Sequence, residues 1–211
     1  MLKRFKTALY VLVLIGSTAS FSSSYVDFFR SVNVDDAGTV KNLLARGFDP
    51  NTPDESGHVA LYLALRSEST RVVTVLLEHP GLKIDATNTA DETPLMMAAL
   101  RGQLDSAQRL LARGASVNRA GWTPLHYAAS GPEPKVVALL LDRGAVVDAP
   151  SPNRTTALMM AARYGTEDAV RLLRARGADL NARNELGLNA ADFSRLGGRE
   201  ALTKVLEAAS R

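Results

Sequence analysis

A chain of 211 residues that is 46% hydrophobic and 22% charged has the composition of a folded globular protein, not of a disordered or fibrous one. Its net charge of +3 comes from 25 basic against 22 acidic residues, and three of the basic ones, Lys3, Arg4 and Lys6, stand in the first six positions. Without them the signs balance at 22 each, which leaves no basic stripe to neutralise phosphates and argues against a nucleic-acid partner; the absence of Cys removes disulfides, thiolate nucleophiles and Cys-ligated zinc.

The first element in chain order is a leader. A charged "MLKRFK" precedes the apolar "ALYVLVLI" and then the small and hydroxylic "GSTASFSSS". The apolar run is far short of the roughly 20 residues that span a bilayer but matches a secretory h-region. Ser17 and Ala19 satisfy the small-residue rule before a cut. Residues 1–19 therefore read as a cleavable signal peptide, with a cut among Ser22 to Ser24 as the alternative. No Cys follows the apolar run to carry a lipid. The reading is export to the periplasm of a Gram-negative bacterium, with no membrane attachment after cleavage.

Residues 20–211 repeat. "DETPLMMAALRGQLDSAQRLLARGASVN" (91–118) returns as "AGWTPLHYAASGPEPKVVALLLDRGAVVD" (120–148) and again as "RTTALMMAARYGTEDAVRLLRARGADLN" (154–181). The opening Thr is Thr93, Thr123 and Thr156; Val59 and Asn189 hold the same slot in the flanking blocks, at steps of 34, 30, 33 and 33 residues. Such a period marks a solenoid. The blocks run roughly 25–54, 55–88, 89–119, 120–150, 151–183 and 184–211. Where Thr opens a block it caps the first helix, and Pro94 and Pro124 next to it sit at the first helical position. Leu95, Leu125 and Leu158 then start an apolar stripe continued by small residues such as Ala98 and Ala99. A second helix follows, with acids in its first turn, Arg46, Arg113, Arg143 or Arg176 at its end and a Gly behind it. The fold class is all-α: about six helix pairs joined by short hairpin fingers. The outer pairs lack the Thr-Pro-Leu start, as terminal repeats of a stack often do.

"TPLHYAA", "TPLMMAA" and "TALMMAA" resemble the ankyrin repeat, whose period is about 33 and whose signature begins T-P-L-H-x-A. The resemblance runs from Tyr25 to Ala209. It implies a scaffold that binds another protein through the hairpin tips and the concave inner face of its first helices. The family's variable contact positions fall on His58, Glu92, Trp122, Thr155 and Leu188 before the Thr slot. At the ends of the first helices they fall on Arg66, Ser67, Leu100, Arg101, Ser130, Arg163 and Tyr164. Trp and Tyr flanked by Arg is the composition of interface hot spots. The chain also resembles small exported bacterial ankyrin proteins, some of which support a periplasmic catalase against peroxide. That implies a monomeric scaffold, and an immunity protein that neutralises a toxic periplasmic effector is the alternative.

No constellation supports enzyme activity, a cofactor or a metal. His126 fills the His slot of the signature, and Thr123 and Ser130 beside it are cap and helix positions rather than nucleophiles. Met96, Met97, Met159 and Met160 could offer thioethers to Cu(I), yet the pairs lie two repeats apart in the core stripe. No phosphate loop, nucleophile elbow or HExxH occurs. One departure stands out. From closing Asn or Asp to the Thr slot is 8 residues at four junctions, but only 5 from Asn118 to Thr123. The finger carrying Trp122 is cut short, which predicts a notch with Trp122 at its base. Fractionation of a Gram-negative expression host should find the mature chain outside the cytoplasm, with an intact mass that places its first residue at Ser20; a cytoplasmic chain retaining Met1 would overturn the leader.

Overall fold

The computed structural model describes residues 23–210, which fall into two compact units, one ending at Leu82 and one beginning at Lys83. The leader and its preferred cleavage site lie outside the described residues. Within them all regular structure is helical, apart from one isolated bridge between Pro53 and Val59. No helix among them is long and apolar enough to cross a membrane.

The first unit contains α1 (residues 23–33), α2 (Ala37–Ala45), α3 (Ala60–Arg66) and α4 (Thr70–Glu78). Its opening pair has no alanine-rich signature and buries aromatic rings instead: Phe28 lies 4.2 Å from Phe48 and meets Phe29 edge-on at 5.4 Å. Offset and edge-on pairs of this kind add to what burial alone contributes. Asp36 caps α2 by accepting from the Thr39 amide at 3.1 Å. Its neighbour Asp35 departs from the expected role of completing the helix dipole. It takes a left-handed conformation and accepts from the Val72 amide at 2.9 Å and from Arg71 at 3.0 Å, tying the first pair to the second.

The second unit contains α5 (Pro94–Leu100), α6 (Leu104–Ala112), α7 (Pro124–Ser130), α8 (Pro134–Asp142), α9 (Ala157–Tyr164), α10 (Glu167–Ala175), α11 (Ala190–Leu196) and α12 (Glu200–Ala209). The first helices α5, α7, α9 and α11 lie side by side in one layer, and α6, α8 and α10 stack behind them. The alanine pairs Ala98–Ala99, Ala128–Ala129 and Ala161–Ala162 are buried at these seams. Small residues let the helices approach until backbone meets backbone. A Cβ built on Gly165 would stand 2.0 Å from the Ala129 carbonyl oxygen, and one on Gly131 2.8 Å from that of Ala99. The end of α9 is then sealed from the next pair: Arg199 donates to the carbonyls of Ala161, Ala162 and Gly165 at 2.9–3.0 Å.

The Gly-Ala-x-x-Asn/Asp elements tie repeat to repeat. Arg113, Arg143 and Arg176 are the C-caps of the second helices, and the glycines after them are left-handed, as expected. Beyond them, Asn118 donates to the Gly144 carbonyl at 2.8 Å and accepts from the Val146 amide at 2.9 Å. Asp85 accepts from the Ser116 amide, and Asp148 from the Asp179 amide, both at 3.1 Å. Each repeat thus grips the loop of the next through a side chain that satisfies its backbone groups.

Fingers follow. Asp54, Asn88, Ser151 and Asn184 each accept, by their side chains, from the amide four residues on, while their own amides close the hairpin. The segment between Asn118 and Thr123 makes no such hairpin. Arg119 instead reaches back to the tip of the preceding finger, donating to the Asp91 carbonyl at 2.6 Å and to its carboxylate at 2.5 Å.

Substituting Gly165→Ala should cost about 3 kcal/mol of stability by forcing helices apart. Gly114→Ala, whose added methyl meets nothing within 4 Å, should cost only the left-handed penalty of about 1–2 kcal/mol. Urea denaturation of the two variants checks the order, and a smaller loss at Gly165 would contradict the close-approach account.

Candidate functional site

His126 anchors the centre of the second unit. It is the third residue of α7, and its Nδ1 accepts from the Thr123 amide at 3.2 Å and pairs with the Thr123 hydroxyl at 2.8 Å. Its Nε2 lies 2.9 Å from the Thr155 carbonyl oxygen in the next repeat. An amide can only donate and a carbonyl can only accept, so the ring is the neutral tautomer with its proton on Nε2. Burial pushes its pKa below the ordinary value, against a smaller opposing effect of the Thr155 bond. Both nitrogens are engaged in architecture, which leaves no lone pair to act as a base. The repeats with Met in this slot make the same connection with sulfur: Met96 Sδ accepts from the Thr93 amide at 3.3 Å, and Met159 Sδ from the Thr156 amide at 3.5 Å. In the last repeat Asp192 and Asn189 exchange the two bonds of a capping box at 3.1 Å. Met96 and Met159 are therefore cap partners as well as core filler.

Trp122 stands edge-on to His126 with ring centroids 5.2 Å apart. The truncated finger leaves the indole half-exposed, and two cavities open on either side of it. One, of about 270 Å³, is lined by Leu100 of α5, by Trp122, His126, Tyr127 and Ser130, and by Met160 and Tyr164 of α9. The other, of about 300 Å³, is lined by Trp122, Met160, Arg163 and Tyr164, by the finger residues Asn153, Thr155, Asn184, Leu186 and Leu188, and by Phe193 and Leu196 of α11. Trp122, Met160 and Tyr164 belong to both, so the two adjoin as a mainly apolar trough along the first-helix layer from α5 to α11. Tyr164 is 57% exposed, Leu186 79% and Leu196 56%. A contiguous exposed patch of such side chains marks an interaction site.

The contact positions mapped from the repeat pattern fare unequally. Trp122, Arg163, Tyr164, Leu100, Ser130 and Leu188 converge on the trough. Thr155 borders the second cavity but is only 1% exposed, with its amide bound by Ser151 and its carbonyl by His126. Glu92 is half-buried and braces the site from behind, accepting from the Tyr127 hydroxyl at 2.9 Å and from Asn88 at 2.8 Å. Arg101, the C-cap of α5, is exposed but does not line the trough. His58, Arg66 and Ser67 belong to the first unit. There His58 stacks on Tyr62 at 5.3 Å, with its Nδ1 3.3 Å from Asp54, and Arg66 and Ser67 are exposed at the end of α3. Met160, Leu186 and Leu196 were not foreseen. Leu186 could have been found as an apolar residue on an otherwise polar finger tip; Met160 was hidden by its paired core neighbour, Met159. No cluster of His, Asp and Glu that could hold a metal occurs among the described residues.

A stack of capped helix pairs with a side-chain trough across its first helices defines a repeat protein built to bind. The family model for ankyrin repeats in sets of three copies matches residues 29–120 and 117–184, and the chain belongs to the ankyrin-repeat family. It is 31% identical over 155 residues, 70% of the chain, to the nuclear factor NF-kappa-B p105 subunit of Gallus gallus. It is 47% identical over 92 residues, 42% of the chain, to the human neurogenic locus notch homolog protein 4. The chain spans only 16% and 5% of the length of these relatives. Among solved structures it is similar to a chain of the complex between a predatory endopeptidase from Bdellovibrio bacteriovorus and an immunity protein. That match has a TM-score of 0.74 and 27% identity, covering 86% of this chain and 97% of the other.

The depressed pKa of His126 carries a sign. The unfolded chain takes up this proton first as pH falls, so the stability due to the neutral ring is complete above about pH 6.5 and is lost below it. Urea denaturation at about pH 7.5 and about pH 5.5 should show a larger loss for the wild type than for His126→Gln, whose side chain keeps the capping bond without titrating. Equal losses would remove His126 from the acid response.

Proposed function

We propose that this chain is a non-enzymatic, monomeric protein-binding module of the periplasm that seats a protruding element of its partner in the trough, and that it acts as an immunity-type inhibitor of a secreted hydrolase. The observation that carries the binding surface is the trough itself. Trp122 and Tyr164, rigid and amphipathic, stand at its centre beside Arg163, and such residues dominate interface energies when a partner desolvates them. An open channel lined from four helices suits side chains of another protein better than an enclosed small molecule. The inhibitor role draws support from the similarity to the solved complex of an endopeptidase with an immunity protein, since that match extends over nearly the whole of the matched chain. No comparison bears on support of a periplasmic catalase. The leader "MLKRFKTALYVLVLIGSTA" supports export, the compartment where such a hydrolase would act.

Co-expression of the full chain with the secreted endopeptidases of its own organism tests both halves. The wild type should restore growth against one of them, and Trp122→Ala with Tyr164→Ala should fail to do so, with affinity reduced at least about a hundredfold, the loss of two hot-spot residues. Restoration by both forms would remove the trough as the contact surface. Failure of the wild type against every endopeptidase would overturn the inhibitor role.

A further inference from the structure

The trough carries a charge asymmetry. Among its lining residues Arg163 alone bears a formal charge, because His126 is neutral and the rest are apolar or uncharged. Its guanidinium carbon lies 4.9 Å from the centroid of the Tyr164 ring, and no carboxylate pairs with it among the described residues. Several other arginines of this unit pair with acids, among them Arg119 with Asp91, Arg176 with Asp142, and Arg195 with Asp192. Glu92, bonded to the lining residue Tyr127, is committed to that hydroxyl and to Asn88. Glu185, on a neighbouring finger tip, is not a lining residue. A half-buried cation in apolar surroundings is held there at a cost that an incoming anion would offset. The guanidinium lies over the Tyr164 ring with no hydrogen-bond partner among the described residues, and a free guanidinium fork can grip a carboxylate with two parallel bonds.

A second cation stands close by in sequence. Arg154 occupies the tip of the finger whose Asn153 and Thr155 line the trough. It holds a left-handed conformation with φ of 62°, where the equivalent tips use Gly57, Asp91 and Gly187. An arginine is poorly suited to that backbone. We infer that the partner segment seated in the trough carries a carboxylate directly beside its apolar side chain, with Arg163 as the counter-charge in the trough and Arg154 as a second cation at its rim. This inference rests on the trough being the binding face.

Panning a phage-displayed random dodecapeptide library on the full chain tests it. Trp122 is the chain's one tryptophan, so its emission reports occupancy of the trough by each selected peptide. Recovered peptides should pair an aromatic or aliphatic residue with an adjacent Asp or Glu. Their affinity should fall about tenfold in Arg163→Gln, as expected for one desolvated ion pair, and should weaken as salt is raised. Panning on Arg163→Gln should then return apolar peptides without acidic enrichment. Apolar peptides that quench Trp122 with no acidic preference on the wild type would overturn the charge inference while leaving the trough as binding face. Recovery of the same peptides on Trp122→Ala would overturn both.

Discussion

The contact on which the structure depends is the meeting of bare backbone between neighbouring first helices. At Gly165 the α9 end comes so near the Ala129 carbonyl that no side chain could stand between them, and buried alanine pairs continue the seam. This spacing is set by the smallest residues in the chain, not by its largest. It brings Trp122 of one repeat and Met160 and Tyr164 of the next to a common surface. The trough is thus a by-product of how closely the helices must approach in order to bury anything at all. A single helix pair has one apolar face and only its neighbours to cover it.

Polar groups in this design do two kinds of work. One set satisfies the backbone at the junctions: Asn118 and Asp148 across to the next loop, His126 to Thr155, Arg199 to three helix-end carbonyls. Each is committed to backbone groups of a neighbouring repeat. The other set, Arg163 and the half-exposed rim of Trp122, has capacity left over. The contrast between the two sets marks where a partner belongs more sharply than exposure does, because scattered exposed hydrophobics such as Val146 and Val205 occur elsewhere on the unit without converging.

Much of the fold was legible in the residues. The Thr slot, the alanine pairs, the Arg-Gly helix ends and the 33-residue step each have a local physical cause, and each appears where its cause places it. The short spacing from Asn118 to Thr123 likewise pointed to Trp122. Tertiary partnerships were not legible. Asp35 looked like a dipole residue, yet it binds a helix 36 and 37 residues away. Thr155 looked like a contact position because its slot is one in the family pattern, but here its carbonyl takes the His126 bond and the side chain goes inside with it. The trough itself had no sequence signature, since Leu186 and Leu196 come from different local structures and meet only after the stack forms.

The missing finger hairpin between Asn118 and Thr123 has a consequence for how such chains diversify. Between Asn118 and Thr123 the hairpin of the other fingers is replaced by the tie of Arg119 to Asp91 on the preceding finger and by the packing of Trp122 on His126. The first helices on either side of this shorter junction keep the side-by-side packing of the rest of the layer, so finger length and helix register are separate variables of the architecture, and the contour above the helices can differ from repeat to repeat over an unchanged core.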